Sequence, residues 1–181
     1  MMRFLWLSLA VLILDQATKL WIDSSFTLYE RVPVIPGFFD LMLAYNKGAA
    51  FSFLADQDGW QRWFFTGLKL VISIALFIWL RVLPSSHRWT AFAIALVIGG
   101  AIGNLVDRIF YGGLVVDFID VGIGTSRFYT FNVADMGVTV GGALLFLCIL
   151  LEGRLRRDQE EEEPAGSVPP ASPAEPLPEN E

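Results

Sequence analysis

Residues 89–110 read WTAFAIALVIGGAIGNLVDRIF, and this stretch decides the fold. No ionisable side chain occurs between Trp89 and Gly103, after which Asn104, Asp107 and Arg108 stand at positions i, i+3 and i+4. A run of about 20 mostly apolar residues is long enough to cross a bilayer as a helix. This one is a span that ends in polar groups. Gly99, Gly100 and Gly103 give it small-xxx-small spacing, which lets helices approach closely. Three further segments have the same character, at about 4–22, 63–83 and 133–153. The opening Met-Met-Arg and its apolar run mimic a secretory signal. However, no small-x-small cleavage site follows, and Asp15, Gln16 and Lys19 stand where one belongs, so a retained first helix is expected. The implied architecture is an all-α membrane protein of four transmembrane helices, running up and down. An outer cap at about 23–62 and 111–132 would contain short β-strands, one of them near Phe39–Leu43.

Composition agrees. Of 181 residues, 54% are hydrophobic, above the roughly 45–50% usual for soluble domains. The formal charge of −6, from 13 bases and 19 acids, is misleading. Eight acids lie at or beyond Asp158, where no Lys or Arg occurs, so residues 1–157 carry 13 bases and 11 acids, a net +2. Residues 158–181 also hold six of the nine prolines, a composition expected to be disordered. The lone cysteine, Cys148, excludes an internal disulfide framework, and with His87 it offers no zinc spacing. No basic cluster with interleaved aromatics points to nucleic acid.

Basic residues flanking the spans favour both termini inside, with Arg81 and Arg88 crowding a short inner turn and Arg154, Arg156 and Arg157 ending helix four. Trp60, Trp63, Phe64 and Phe65 resemble an interfacial anchor where the chain re-enters the membrane. Up-and-down topology then brings Asp15, Lys19, Lys69, Asn104, Asp107, Arg108, Asn132 and Asp135 to one layer near the outer interface. Ionisable groups at that depth are expensive and mark functional sites. Asp15 and Lys19 have the i,i+4 spacing of an ion pair. Asn132 and Asp135 have that of a helix cap and its N3 acid. Asp117 and Asp120 sit in Val115-Val116-Asp117-Phe118-Ile119-Asp120, among β-branched and aromatic neighbours. Two carboxylates close together in a low-dielectric site do not both ionise readily, so one can act as acid and the other can activate water. By spacing, either Asp117 or Asp120 can pair with Asp135. His87 lies at the opposite end, so Ser-His and Cys-His schemes fail.

Five ordered motifs resemble those of bacterial lipoprotein signal peptidase, the signal peptidase II family. They are Asp15-Gln16-Ala17-Thr18-Lys19, Asn46-Lys47-Gly48-Ala49-Ala50-Phe51-Ser52, Gly99 through Arg108, Val115-Val116-Asp117-Phe118, and Phe131-Asn132-Val133-Ala134-Asp135. The resemblance covers about residues 4–155. It implies an aspartic endopeptidase of the bacterial cytoplasmic membrane that cuts prolipoproteins just before a diacylglyceryl-modified cysteine. It selects Asp117 over Asp120, so that Asp117 and Asp135 are the catalytic dyad. Asp15, Lys19, Asn46, Asn104, Asp107, Arg108 and Asn132 would orient the dyad or the substrate. The implied partners are a diacylglyceryl-prolipoprotein and membrane lipid, with the cyclic peptide globomycin as inhibitor. No metal or other cofactor is implied. The long acidic tail has no counterpart in the motifs. The competing reading is a small proton-coupled transporter or channel, which calls for polar groups through the full membrane depth.

Overall fold

The computed structural model describes residues 1–47, 60–124 and 126–162. A 3-10 turn at Met2–Phe4 leads into α1 (Leu5–Ser25). Then follow β1 (Arg31–Ile35), β2 (Phe39–Asn46), α2 (Trp60–Val82), α3 (Arg88–Phe110), β3 (Val115–Ile123), β4 (Ser126–Arg127) and α4 (Val133–Glu162). Among the described residues, three helical segments are long and apolar enough to cross a membrane: Met2–Ser25, Arg88–Phe110 and Val133–Arg154. The remaining expected span falls on α2. Of the expected aromatic anchor, Phe64 is exposed, whereas the side chains of Trp60, Trp63 and Phe65 lie outside the described residues.

The layering is that of a molecule built for an apolar surround. Trp6, Ile13, Leu20, Val71, Ile78 and Phe146 are exposed, while Asp15, Lys19, Asn104, Asp107 and Asn132 are buried. Helices can present apolar side chains outward because their backbone polar groups are satisfied internally. Glycines set how closely the helices pack. A Cβ on Gly99 would lie 2.8 Å from the Ser8 carbonyl of α1, and one on Gly100 would collide with the Ala134 carbonyl of α4. Ser8 Oγ adds a hydrogen bond across the same seam, donating to Ala95 O at 2.7 Å. Away from the sheet, the bundle closes on Leu80, Leu83, Ala91, Ile94 and Ile98, packed with Phe4 and Leu5. Among the described residues, the buried polar side chains toward that end are Ser8 and Thr90, neither of them ionisable.

The cap is more than the short strands expected. β1 to β4 form one antiparallel sheet in the order β1-β2-β3-β4. The strand foreseen at Phe39–Leu43 runs on to Asn46, and Val115–Ile123 is a nine-residue strand. Its Val, Phe and Ile content suits a half-buried pleated surface. Ile22, Leu43, Val116 and Phe118 bury the junction of sheet and helices. Gly112 and Gly113, both at positive φ, turn the chain from α3 into β3, and Gly113 N–H donates to Arg108 O at 2.8 Å. Only glycine adopts that left-handed conformation freely.

From Ile149 the chain forms a second unit, whose described part is the continuation of α4 to Glu162. Residues 158–162 are therefore helical, where disorder was expected from Asp158 onward. Gln159 and the glutamates are good helix formers and extend an existing helix at little cost. The rest of the expected tail, 163–181, lies outside the described residues.

Candidate active site

The site begins with the ion pair on α1. Lys19 Nζ lies 2.8 Å from Asp15 Oδ2, 2.9 Å from Asp107 Oδ2 and 3.1 Å from Asn104 Oδ1. Three buried charges, one positive and two negative, are stable only when their remaining lone pairs are used. Both carboxylates use them on backbone. Asp15 Oδ1 accepts the Ala134 N–H at 2.8 Å, in the first turn of α4, where helical N–H groups lack internal partners. Asp107 Oδ2 accepts the Val116 N–H at 3.0 Å, and its Oδ1 accepts Gln16 Nε2 at 2.8 Å. One ammonium thus holds the starts of β3 and α4, which carry Asp117 and Asp135.

Three asparagines complete the bridge. Asn132 Oδ1 accepts the Asp135 N–H at 2.9 Å, the cap that the spacing foretold. Its Nδ2 simultaneously donates to Asp117 Oδ1 at 2.6 Å. Asn104 Nδ2 donates to Asp135 Oδ1 at 2.7 Å, and Asn46 Nδ2 donates to Asp117 Oδ2 at 2.9 Å. Each of the two carboxylates is therefore oriented by an amide. Arg108 Nη1 donates to Asn104 O at 3.3 Å, and its guanidinium, like the Lys69 ammonium, lies within electrostatic reach of Asp117 and Asp135.

Asp117 is itself 2% exposed. Burial pushes its carboxyl up to about 7, and the neighbouring Asp135 charge adds to the rise. The amides of Asn46 and Asn132 favour the ionised form but do not offset burial. Asp117 accordingly keeps a proton close to neutrality.

All nine residues expected at the site are described, and they join one connected polar cluster. The strand separates the two acids that spacing could not tell apart. Asp117 and Asp120 are three residues apart and so lie on opposite faces of β3. Asp120 meets Arg31 at 2.6 Å on the face away from the asparagines. Sequence reading did not foresee the role of Gln16, although it lies inside a quoted motif. It also missed a clamp in which Tyr45 and Tyr111 both donate to Asp23. The Asp23 carboxylate pushes the Tyr45 hydroxyl up to about 12, so it remains a donor. Of the motif opening at Asn46, residues 48–52 lie outside the described residues. Among the described residues, no group of three or more His, Cys, Asp or Glu side chains could hold a metal ion.

Comparison with known proteins bears on this geometry. The profile of the family described as Signal peptidase (SPase) II matches residues 7–151. A lipoprotein signal peptidase of Pseudomonas putida is 52% identical over 147 residues, covering 81% of this chain and 85% of that relative. Another, from Yersinia enterocolitica, is 49% identical over 144 residues, covering 80% and 84%. Two solved structures of bacterial membrane enzymes superpose with TM-scores of 0.72 and 0.74, at 32% and 30% identity. They cover 83% and 92% of this chain, and 94% of each solved chain. With the match spanning all but the chain's ends, the protein belongs to the signal peptidase II family.

Proposed function

We propose that Asp117 and Asp135 are the catalytic dyad with which this chain cuts diacylglyceryl-modified prolipoproteins just before the lipid-bearing cysteine. That the chain is an aspartic-class peptidase removing signal peptides from prolipoproteins follows from its family. The observation that supports the dyad is the double use of Asn132, which bonds Asp117 while capping the helix that presents Asp135. A water between the carboxylates gives its proton to Asp135 and attacks the scissile carbonyl. Asp117 delivers its proton to the carbonyl oxygen. As the tetrahedral diol collapses the C–N bond breaks, Asp135 gives its proton to the departing nitrogen and Asp117 regains one from the diol hydroxyl. Asn46 and Asn104 fix the two carboxylates, and the Lys19 hub fixes the elements beneath them. Arg108 orients the substrate backbone or its lipid-modified segment.

The setting proposed is the bacterial cytoplasmic membrane, crossed four times with α2 as the remaining span and both termini cytoplasmic. The sheet would then lie at the outer face. A substrate anchored by its signal helix and acyl chains would present its scissile bond at that depth, so much of the entropy of orientation is already spent. The cap would close over the bound peptide and limit water. Globomycin, as a substrate mimic, would occupy the dyad.

The test is a gel-shift assay on a lipid-modified prolipoprotein, with and without globomycin, using Asp117→Asn and Asp135→Asn. Loss of processing in both folded variants is expected. Wild-type processing by either one overturns the assignment.

A further inference from the structure

The sheet carries a row of charges on the side of β3 turned away from the dyad. Asp40 of β2 stands directly opposite Asp120 of β3 in the ladder, and the two carboxylates are 2% and 1% exposed. Like charges in that position repel, and a buried carboxylate without a cation is costlier still. The outer strands supply the cations. Arg31 of β1 places Nη2 2.6 Å from Asp120 Oδ2 and Nε 3.7 Å from Asp40 Oδ2. Arg127 of β4 bonds Asp40 from the other side. Read across the sheet, the four strands contribute Arg, Asp, Asp and Arg.

This row is balanced in charge but not in hydrogen bonds. Asp40 Oδ1, Asp120 Oδ1 and Arg127 Nη1 are buried without a hydrogen bond, and Asp120 Oδ2 has the Arg31 ion pair but no well-angled hydrogen bond. Its worth therefore lies less in bonding than in fixing which residues face one another. The ladder needs such a device. Between Leu41 and Ala44 its register shifts by one residue, so that Leu41 pairs with Ile119 but Ala44 pairs with Asp117. A bulge re-aims the side chains beyond it, so Asp117 faces the asparagines in this register alone. A slip of one residue would turn every side chain to the opposite face. In β3 that would point Asp117 away from Asn132 and Asn46.

We infer that Arg31, Asp40, Asp120 and Arg127 are positioning residues, a register pin that holds β3 so that Asp117 faces Asp135. The inference rests on the reading of Asp117 as a dyad member. Charge balance is the working part. Removing one cation or one carboxylate unbalances the row, and removing an opposed pair restores it.

The experiment measures kcat and KM of the full chain on a lipid-modified prolipoprotein for Arg31→Gln, Asp120→Asn and the double variant, with Asp117→Asn alongside. Each single change is expected to lower kcat about tenfold with KM within about twofold, since misplacing a reacting group acts on turnover. The double variant, which retains the Asp40–Arg127 pair, is expected to recover most of that loss. Wild-type kcat in both single variants overturns the inference, as does a loss confined to KM or a double variant no better than the worse single one. Asp120→Asn leaves Arg31 half-exposed to water, so it carries the comparison if Arg31→Gln fails to fold. If Asp117→Asn is inactive while the row variants behave as wild type, only the pin falls. If Asp117→Asn turns over normally, the dyad reading falls and takes the pin with it.

Discussion

Asn132 Nδ2 lies 2.6 Å from Asp117 Oδ1 although the two residues belong to different elements, and the same side chain caps α4 through its oxygen. Capping and bridging can be separated. Serine caps a helix about as well as asparagine but is too short to reach Asp117. Asn132→Ser should therefore keep the melting temperature of the purified protein near wild type while lowering kcat roughly a hundredfold. Unchanged kcat would reduce Asn132 to a cap.

Asp117 makes stability fall as pH rises. Its carboxyl moves from an ordinary 3.8 to about 7 in the folded protein. The folded state thus retains a proton that the unfolded chain releases. The stability it contributes is complete below about pH 4 and is lost as pH rises through about 7. Asp117→Asn, which never ionises, should melt higher than wild type at pH 8, by roughly 2–4 kcal/mol. The difference should shrink toward pH 4. Thermal unfolding at the two pH values checks this, and an equal difference at both would contradict it.

Turnover should share that limit. A dyad needing the Asp117 proton loses kcat/KM on the alkaline side, with an apparent pKa near 7 that belongs to the pair. A pH–rate profile flat from 6 to 9 would remove Asp117 as the acid.

The Lys19 hub gives an asymmetric prediction. Lys19→Met strands Asp15 and Asp107 together in a buried site and should cost about 3–5 kcal/mol. Asp15→Asn leaves Lys19 paired with Asp107 at 2.9 Å and should cost less. Thermal unfolding of both variants ranks them, and the reverse order would show that the ammonium is not the centre of the cluster.

Helix contact can be probed through two glycines. A Cβ on Gly100 meets the Ala134 backbone carbonyl, which cannot move without shifting α4, whereas one on Gly142 meets nothing within 4 Å. Gly100→Ala should destabilise by about 1–3 kcal/mol. Gly142→Ala should be neutral or stabilise by about 0.5–1 kcal/mol. Melting curves that fail to separate the two would argue against close packing of α3 on α4.

Much of this was legible because membrane burial makes polar residues conspicuous. Asp15, Lys19, Asn104, Asp107 and Arg108 stand out against apolar helices, and up-and-down topology alone brings them to one level. The Asn132 cap was readable from its three-residue spacing to Asp135. The sheet was harder, since Arg31 and Asp40 belong to strands whose partners are far away in sequence, and a register with a bulge leaves no periodic trace. Asp117 and Asp120 could not be told apart by spacing because both flank the same apolar residues. Only the pleat of β3 sends them to different faces. Gln16 escaped notice because its partners, Gly103 O and Asp107 Oδ1, lie on another helix.

The bond from Asp15 to Ala134 N–H joins the first helix to the last across 119 positions of chain. Synthesis supplies these elements in order, so a growing polypeptide that has released α1, α3 and β3 still lacks Asp135 and leaves Asp15 without its backbone partner. On the dyad reading, hydrolysis begins only when α4 docks.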